Sequence, residues 1–341
     1  MIQRANFAWE PAIRGLSGAQ VGLVIDGVKV FGACVDKMDP TSAYVEVENL
    51  EKLELSKGGF DLNNASQIGG SVNLVTEKPR FDVPFFANLE SGYESASSLR
   101  RLRALGGASW RSTAIRASYS YKIAGDFKPG GQDAIANSGY EKNNYKIDLA
   151  QRLGRGHTLT ASVLSDNAWD VGYPVLLMDA TLASARIYSL THAWEAATHG
   201  GRLRATESRV YHNTVDHWMD DFKRDVSERA VMRSMNMPMF GKTRTSGFLS
   251  RSFARFGKHN VSLTLDGYRT RAFGDMWMFS EFPNIADMYL IDSRSETKFV
   301  GFSVDRSSLE SASGEPHRKG IDVMIAARRL AKFPHRRSTE F

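Results

Sequence analysis

The sequence predicts a mainly β chain: a small mixed α/β domain over residues 1–82, then an antiparallel β-barrel of transmembrane type over residues 83–305. Three observations carry this reading. Beyond residue 83, apolar and polar residues alternate with the two-residue period of a strand in one segment after another. Those segments run to about ten residues or more, the length of a tilted membrane-crossing strand, with Tyr and Trp near their ends and Arg, Lys and Glu inside them. Before residue 83 the alternation is missing, and short apolar runs end in glycine turns instead.

Taken in order, VGLVIDGVKV (21–30) is an apolar run that meets Asp26-Gly27, which predicts a buried strand entering a turn. VEVENLEKLELSKGG (45–59) is a second short element. In NNASQIGGSVNLVTEKP (63–79), Gly69 and Gly70 let the backbone turn or approach a neighbour closely before a strand from Val72 to Thr76. In IRASYSYKI (115–123), Ile115, Ala117, Tyr119, Tyr121 and Ile123 alternate with Arg116, Ser118, Ser120 and Lys122. Leu159, Ala161 and Val163 share a face in TLTASVLS, as do Val261, Leu263 and Leu265 in NVSLTLDGY. KPGGQDAIANSG and LGRGH supply turns between such segments, and roughly ten strands are expected between 83 and 305. A soluble sandwich uses the same alternation with shorter strands. The long segments with interior charges fit a barrel whose apolar side chains face lipid and whose polar ones face the lumen.

Composition narrows the function. With 42% hydrophobic and 24% charged residues the chain has material for a core and is not a disordered protein. No run approaches the roughly 20 apolar residues of a spanning helix, and MIQRANFAWE lacks the apolar region of a signal peptide. The net charge of +6 suggests a nucleic-acid partner until it is located: between Arg318 and Arg337 stand seven Lys/Arg and one acid, Asp322. That tail holds the whole excess, so no basic nucleic-acid face is expected. Residues 306–341 read as an atypical basic tail, either an amphipathic helix or a solvated or non-native end. No GxSxG, P-loop, HExxH or CxxC is present, and His192, His199 and His212 sit in no triad spacing, so no catalysis is expected.

The ordered set VGLVIDGVKV, VEVENLEKLELSKGG and IGGSVNLVTEKP resembles the plug domain of TonB-dependent outer-membrane receptors, in which an "IDGV" strand, a glycine turn and a "GG-hydrophobic-N-hydrophobic-T-x-x-P" exit strand recur in that order. DVGYPVLLMDA, VYHNTVDHWMDD and NMPMFGKTRTSG resemble the barrel of one subgroup, the copper receptors of the OprC and NosA type. The resemblance covers residues 10 to 300 or so. It implies a partial plug domain over 1–82 and an incomplete transmembrane antiparallel β-barrel over 83–305, since the intact family closes about twenty-two strands around the plug. It further implies an outer-membrane location, contact with membrane lipid, and energy drawn from the TonB complex through a segment that precedes the "IDGV" strand in relatives. On this reading the chain is a fragment, from a truncated or frameshifted gene.

The resemblance implies a copper site made from a Cys-x-x-x-Met pair in the plug and a His-x-Met pair in the barrel. Both pairs are here: Cys34 with Met38, and His217 with Met219. Thiolate, thioether and imidazole form a soft donor set that suits Cu(I) and suits Mg or Ca poorly. Residues i and i+4 share a helical face, so Cys34 and Met38 converge if the stretch forms a helical turn. Residues i and i+2 share a strand face, so His217 and Met219 both point into the lumen while Trp218 points to lipid. His-x-Met alone is unspecific, since eight His and twelve Met give about 0.3 such pairs by chance. A lone Cys or Met equally reads as core filling. Met235, Met237 and Met239 alternate, and Met276 and Met278 repeat the spacing. These read as a secondary set of soft-metal contacts or as strand packing. Asp216, Asp220 and Asp221 are hard donors beside a soft site and are expected to be solvated or structural. The other open readings are a receptor for a different metal chelate such as a siderophore, a structural or adhesive β-protein without a ligand, and a non-functional barrel remnant.

Overall fold

The computed structural model describes residues 1–34, 38–58, 67–197, 201–280, 288–308 and 325–330. Two short strands, β1 (Ile2–Gln3) and β2 (Trp9–Glu10), pair with each other at the N-terminus. The next four are β3 (Val21–Ile25), β4 (Val28–Lys29), β5 (Leu50–Lys57) and β6 (Gly70–Thr76), which form one sheet in the order β4-β3-β6-β5. β3 runs parallel to β6, and the other pairs are antiparallel. Among the described residues the helical part of this domain is three 3-10 turns, Gly18–Gln20, Thr41–Tyr44 and Val47–Asn49.

The expected Asp26-Gly27 turn joins β3 to β4 with both residues at positive φ, 52° and 75°, the conformation that a tight hairpin turn demands. The Asp26 carboxylate accepts from the Thr76 hydroxyl at 2.6 Å and backbone N–H at 3.0 Å, and pairs with Lys78 at 2.7 Å. The turn is thereby fastened to the exit of β6. At Gly70, φ is +123° and a Cβ would stand 2.2 Å from the Ser56 carbonyl oxygen, so only glycine lets β6 begin against β5.

A second sheet is a meander of long strands: β7 (Phe85–Glu94), β8 (Leu99–Trp110), β9 (Thr113–Ala124), β10 (Tyr140–Gly154), β11 (His157–Val171), β12 (Asp179–Glu195) and β13 (Leu203–Asp220). It continues through the two-residue β14 (Met235–Asn236), then β15 (Met239–Phe256), β16 (His259–Ser280), β17 (Met288–Ser308) and β18 (Ile325–Leu330). Each strand of the main path pairs antiparallel with its neighbour, and the order runs openly from β7 to β18, with β14 attached to β16. Among the described residues, ten long strands lie between Phe85 and Ser308.

The alternation in these strands is inverted relative to a soluble protein. On β9, Ile115, Tyr119 and Ile123 are 43%, 41% and 40% exposed, whereas Arg116, Ser118 and Ser120 are 2%, 4% and 5% exposed. The buried polar face looks onto the small domain and bonds to it. Lys122 and Lys142 both pair with Glu46, Lys142 also with Asp166, and Arg116 reaches Glu77 at 2.5 Å. Asn213 donates to the Lys29 carbonyl at 2.9 Å and Thr243 to the Phe31 carbonyl at 2.6 Å. Apolar contact adds to this seam: Val21, Ile25, Val72 and Leu74 pack with Leu164, Ile187 and Val215 of the curved sheet.

The tail departs from its expected form. Ile325–Leu330 lies within the stretch read as an amphipathic helix or solvated end, yet it is a strand in register with β17, from Thr297↔Leu330 to Phe302↔Ile325. The edge of β17 offers a row of N–H and C=O groups, and pairing satisfies them. Residues 309–324 and 331–341 lie outside the described residues.

Candidate metal centre

Two segments far apart in sequence meet at one point. Along β13 the buried face carries Tyr211, Asn213, Val215, His217 and Met219, while Trp218 between the last two is 48% exposed and packs its ring on Phe240 with centroids 4.2 Å apart. The strand period thus sends the imidazole and thioether inward together. From the plug side comes the stretch around Gly32 to Pro40. Neither Cys34 nor Met38 lies in a helix, and the three residues between them, over which a helical turn would have to run, are outside the described residues.

A glycine makes the approach possible. Gly241 on β15 is the cross-strand partner of His217, and a Cβ on it would stand 2.0 Å from the Ala33 carbonyl oxygen. The segment of the small domain therefore lies directly against the wall of the second sheet, one residue before Cys34.

The structure places Cys34 Sγ 3.7 Å from Met219 Sδ. The donor atoms of Cys34, Asp39 and His217 all lie within 4.8 Å of one another, and all three residues are buried. Met38 is 2% exposed and belongs to the same buried cluster as Cys34 and Met219. His217 Nδ1 is 3.4 Å from Asp39 Oδ2 but outside hydrogen-bonding geometry. Both ring nitrogens and Asp39 Oδ1 are buried without a hydrogen-bond partner. Unpaired buried polar atoms are costly, and here three of them belong to two residues whose donor atoms stand beside the Cys34 sulfur.

Asp39, Tyr44 and Tyr173 were not singled out by sequence reasoning. Tyr44 OH donates to Asp39 Oδ2 at 2.6 Å, and Tyr173 OH donates to the Met38 carbonyl at 3.4 Å. Burial on its own raises the Asp39 carboxyl, but the adjacent His217 and the Tyr44 hydroxyl more than offset it and hold the group below the usual carboxylate range. The available signal was the acid next to Met38, followed by Pro40, which leads into the 3-10 turn carrying Tyr44. Tyr173 is itself fixed by Arg224, which donates to its carbonyl at 2.8 Å and pairs with Asp179.

Met237, Met239 and Met278 are 4%, 3% and 2% exposed and join the cluster of Cys34 and Met219, with Met235 and Met276 packed against it. The three acids near the His-x-Met pair are engaged elsewhere. Asp216 pairs with Lys242 at 2.6 Å, Asp221 pairs with Arg229 at 2.7 Å and accepts from the Met237 N–H, and Asp220 accepts from the Phe222 N–H.

Residues 3–71 match the family described as the TonB-dependent receptor plug domain. Among solved structures, the copper transporter OprC is similar with a TM-score of 0.77 at 17% identity, over 89% of this chain and 46% of that one. The chain has the fold of TonB-dependent receptors. The ferric citrate transporter FecA, in its unliganded form, shares the receptor fold with a TM-score of 0.68 at 13% identity, over 95% of this chain and 53% of that one. The siderophore receptor PiuA from Acinetobacter baumannii does so with a TM-score of 0.56 at 12% identity, over 94% and 55%. The chain thus spans about half the length of these structures. No curated protein matches it in sequence.

Proposed function

We propose that this chain carries the substrate site of an outer-membrane copper receptor, in which copper is held between plug and barrel wall by Cys34, Met38, His217 and Met219. The observation that carries the reading is the 3.7 Å approach of Cys34 Sγ to Met219 Sδ beside a buried imidazole whose two nitrogens have no hydrogen-bond partner. Two sulfurs from separate domains and an imidazole make a soft donor set. Asp39 supplies a negative charge beside His217, which favours a cation over a neutral guest. In this reading the imidazole and sulfurs exchange the hydration shell of the incoming ion for protein donors, and energy from TonB acts on the seam so that plug and wall part. Each half of the clamp then keeps only one pair of donors, and the ion is released.

A second reading, a receptor for a small metal chelate, draws on a cavity of about 360 Å³ beside the centre, lined by Cys34 and Asp39 together with Lys29, Phe31 and Tyr268. Such a volume falls in the range of small-molecule sites, about 300–1,000 Å³.

Elemental analysis of the detergent-purified chain, beside Cys34→Ser and His217→Ala, tests the two. About one copper per chain in the parent and none in either variant is the expected result. Equal copper in all three, or uptake of an iron chelate that both variants retain, would sink the copper reading and leave the second.

A further inference from the structure

At the end of the wall away from the metal centre, two imidazoles meet. His157 Nδ1 lies 3.1 Å from His192 Nε2, with the ring centroids 5.2 Å apart and the planes inclined by 20°. Facing nitrogens at that spacing put the rings edge to edge. His192 is the cross-strand partner of Ser208 on β13, and from Ser208 to His217 that strand spans about 30 Å. Neither the copper donors nor the seam between plug and wall uses this pair.

The local chain brings the two rings together. β10 and β11 are joined by Arg155-Gly156, both at positive φ, 48° and 81°, the conformation that a two-residue hairpin turn favours. The Glu195 N–H donates to the Gly156 carbonyl at 3.1 Å, and a Cβ on Gly156 would stand 2.1 Å from the Glu195 carbonyl oxygen. Only glycine lets the turn lie so closely on the end of β12. His157 is the next residue. Register sets it opposite Trp194 and sets His192 opposite Leu159, so the two histidines are diagonal neighbours on one face, a separation that side chains of this size bridge. That face is turned away from the plug: Tyr188 and Leu190 on it are 44% and 43% exposed, whereas Ala185 and Ile187 on the other are buried. Both imidazoles belong to half-buried residues, and Trp194 lies beside His157 with ring centroids 6.2 Å apart.

Two facing ring nitrogens have two uses. With a proton between them they make one hydrogen bond, which any polar partner would supply equally. With both lone pairs free they are two ligands. Metal–imidazole bonds run to about 2.0–2.1 Å, so nitrogens at the His157–His192 separation subtend about 98° at a shared ion. That angle lies between square-planar and tetrahedral, and a turn of the half-exposed rings aims both lone pairs at the ion. The bridging proton moves to the far nitrogen of its own ring, so a neutral pair binds without releasing it. Imidazoles without sulfur are borderline donors that suit Cu(II), Ni(II) and Zn(II), in contrast to the soft set at Cys34, and the order of affinities puts Cu(II) first.

We propose that His157 and His192 form a second metal site, an all-imidazole pair that binds one Cu(II) ion at the short-turn end of the wall, with water in its remaining positions. With two protein ligands against four at the plug centre, the ion is held loosely and exchanges during purification. Copper that survives purification therefore still counts the plug centre alone.

The test uses the full chain carrying Cys34→Ser, which disables the plug centre, in detergent micelles titrated with Cu(II) alone and followed by electron paramagnetic resonance. One Cu(II) per chain, with hyperfine splitting from two nitrogens, is the expected result. His157→Gln and His192→Gln should each weaken binding by roughly tenfold or more, the least that losing even a supporting group costs, and each should remove one nitrogen from the splitting. His212→Gln, on the same outward face and bonded to Ser246, should bind as the Cys34→Ser protein does. A second readout leaves both histidines in place. With Trp194 as the sole tryptophan, one equivalent of Cu(II) should quench most of the emission; with Trp110 as the sole tryptophan, at the end of β8, it should quench far less. Two-nitrogen splitting that persists in both histidine variants, equal quenching of the two tryptophans, or displacement of Cu(II) by equimolar Zn(II) would each overturn the site. None of these outcomes touches the Cys34 centre, which is read from the copper content of the purified parent.

Discussion

Gly241 of the barrel and Ala33 of the plug touch through backbone alone: a methyl group on Gly241 would lie 2.0 Å from the Ala33 carbonyl oxygen. Because Gly241 is also the register partner of His217, this contact, together with the Thr243 and Asn213 hydrogen bonds to the Phe31 and Lys29 carbonyls, brings Cys34 close to the imidazole. The close approach of the two halves of the centre therefore requires a position without a side chain.

Gly241→Ala should push the 32–34 segment off the wall. Overpacking of this kind costs about 1–3 kcal/mol, and the expected loss in copper affinity is roughly 10–100-fold with the strand content unchanged. Titration against a copper chelator, alongside circular dichroism, measures both. A variant that binds copper like the parent would show that the plug segment is held by other contacts.

Asp39 is the buried carboxylate beside His217, and Tyr44 holds it with a 2.6 Å hydrogen bond. Asp39→Asn keeps the shape and removes the charge. Loss of a partner that orients a metal-binding imidazole typically costs about 10–100-fold in affinity, and Tyr44→Phe should lie between this variant and the parent. The same chelator titration reads both, and an Asp39→Asn protein with parental affinity would leave Asp39 a packing residue.

Trp218 faces outward near the 221–238 connection, and Trp194, packed near His157 with ring centroids 6.2 Å apart, lies at the opposite end of the wall. Aromatic residues of a membrane barrel gather at the two interfaces. In variants retaining one tryptophan at a time, both should be quenched by lipids brominated near the headgroup and far less by lipids brominated near the chain ends. Quenching of neither, in a protein reconstituted in vesicles, would argue for a sheet that does not cross the bilayer.

Much of the fold was legible because its signals are local. The alternation of IRASYSYKI states which face Arg116 and Ile115 occupy before any partner is known, and the Asp26-Gly27 turn needs only its own two residues. The centre was legible only in halves. Strand period placed His217 and Met219 on one face, but nothing in the spacing of Cys34 and Met38 says that Ala33 meets Gly241, a contact between residues more than two hundred positions apart in the chain. Asp39 escaped notice for a related reason, since an acid beside soft donors reads as solvated until its burial is seen. The strand Ile325–Leu330 escaped because its composition suggests a helix and only the edge of β17 makes it a strand.

Glu46 is the plug's anchor in the barrel, paired with Lys122 and Lys142. Burial alone raises its carboxyl; Lys142 and Lys122 outweigh burial and hold it at about 2, against an ordinary value of 4.5. A carboxylate depressed in the folded state stabilises that state fully above its unfolded value, and the contribution is lost as pH falls through the folded one. The window is therefore from about 4.5 down to about 2, and the stake is about 3 kcal/mol. Denaturation midpoints of the parent should fall steeply across that window. Glu46→Gln should start lower, because Lys142 keeps only Asp166 as a partner, and should lose less on acidification. Parallel pH profiles for the two proteins would mean that the acid sensitivity of the seam lies elsewhere.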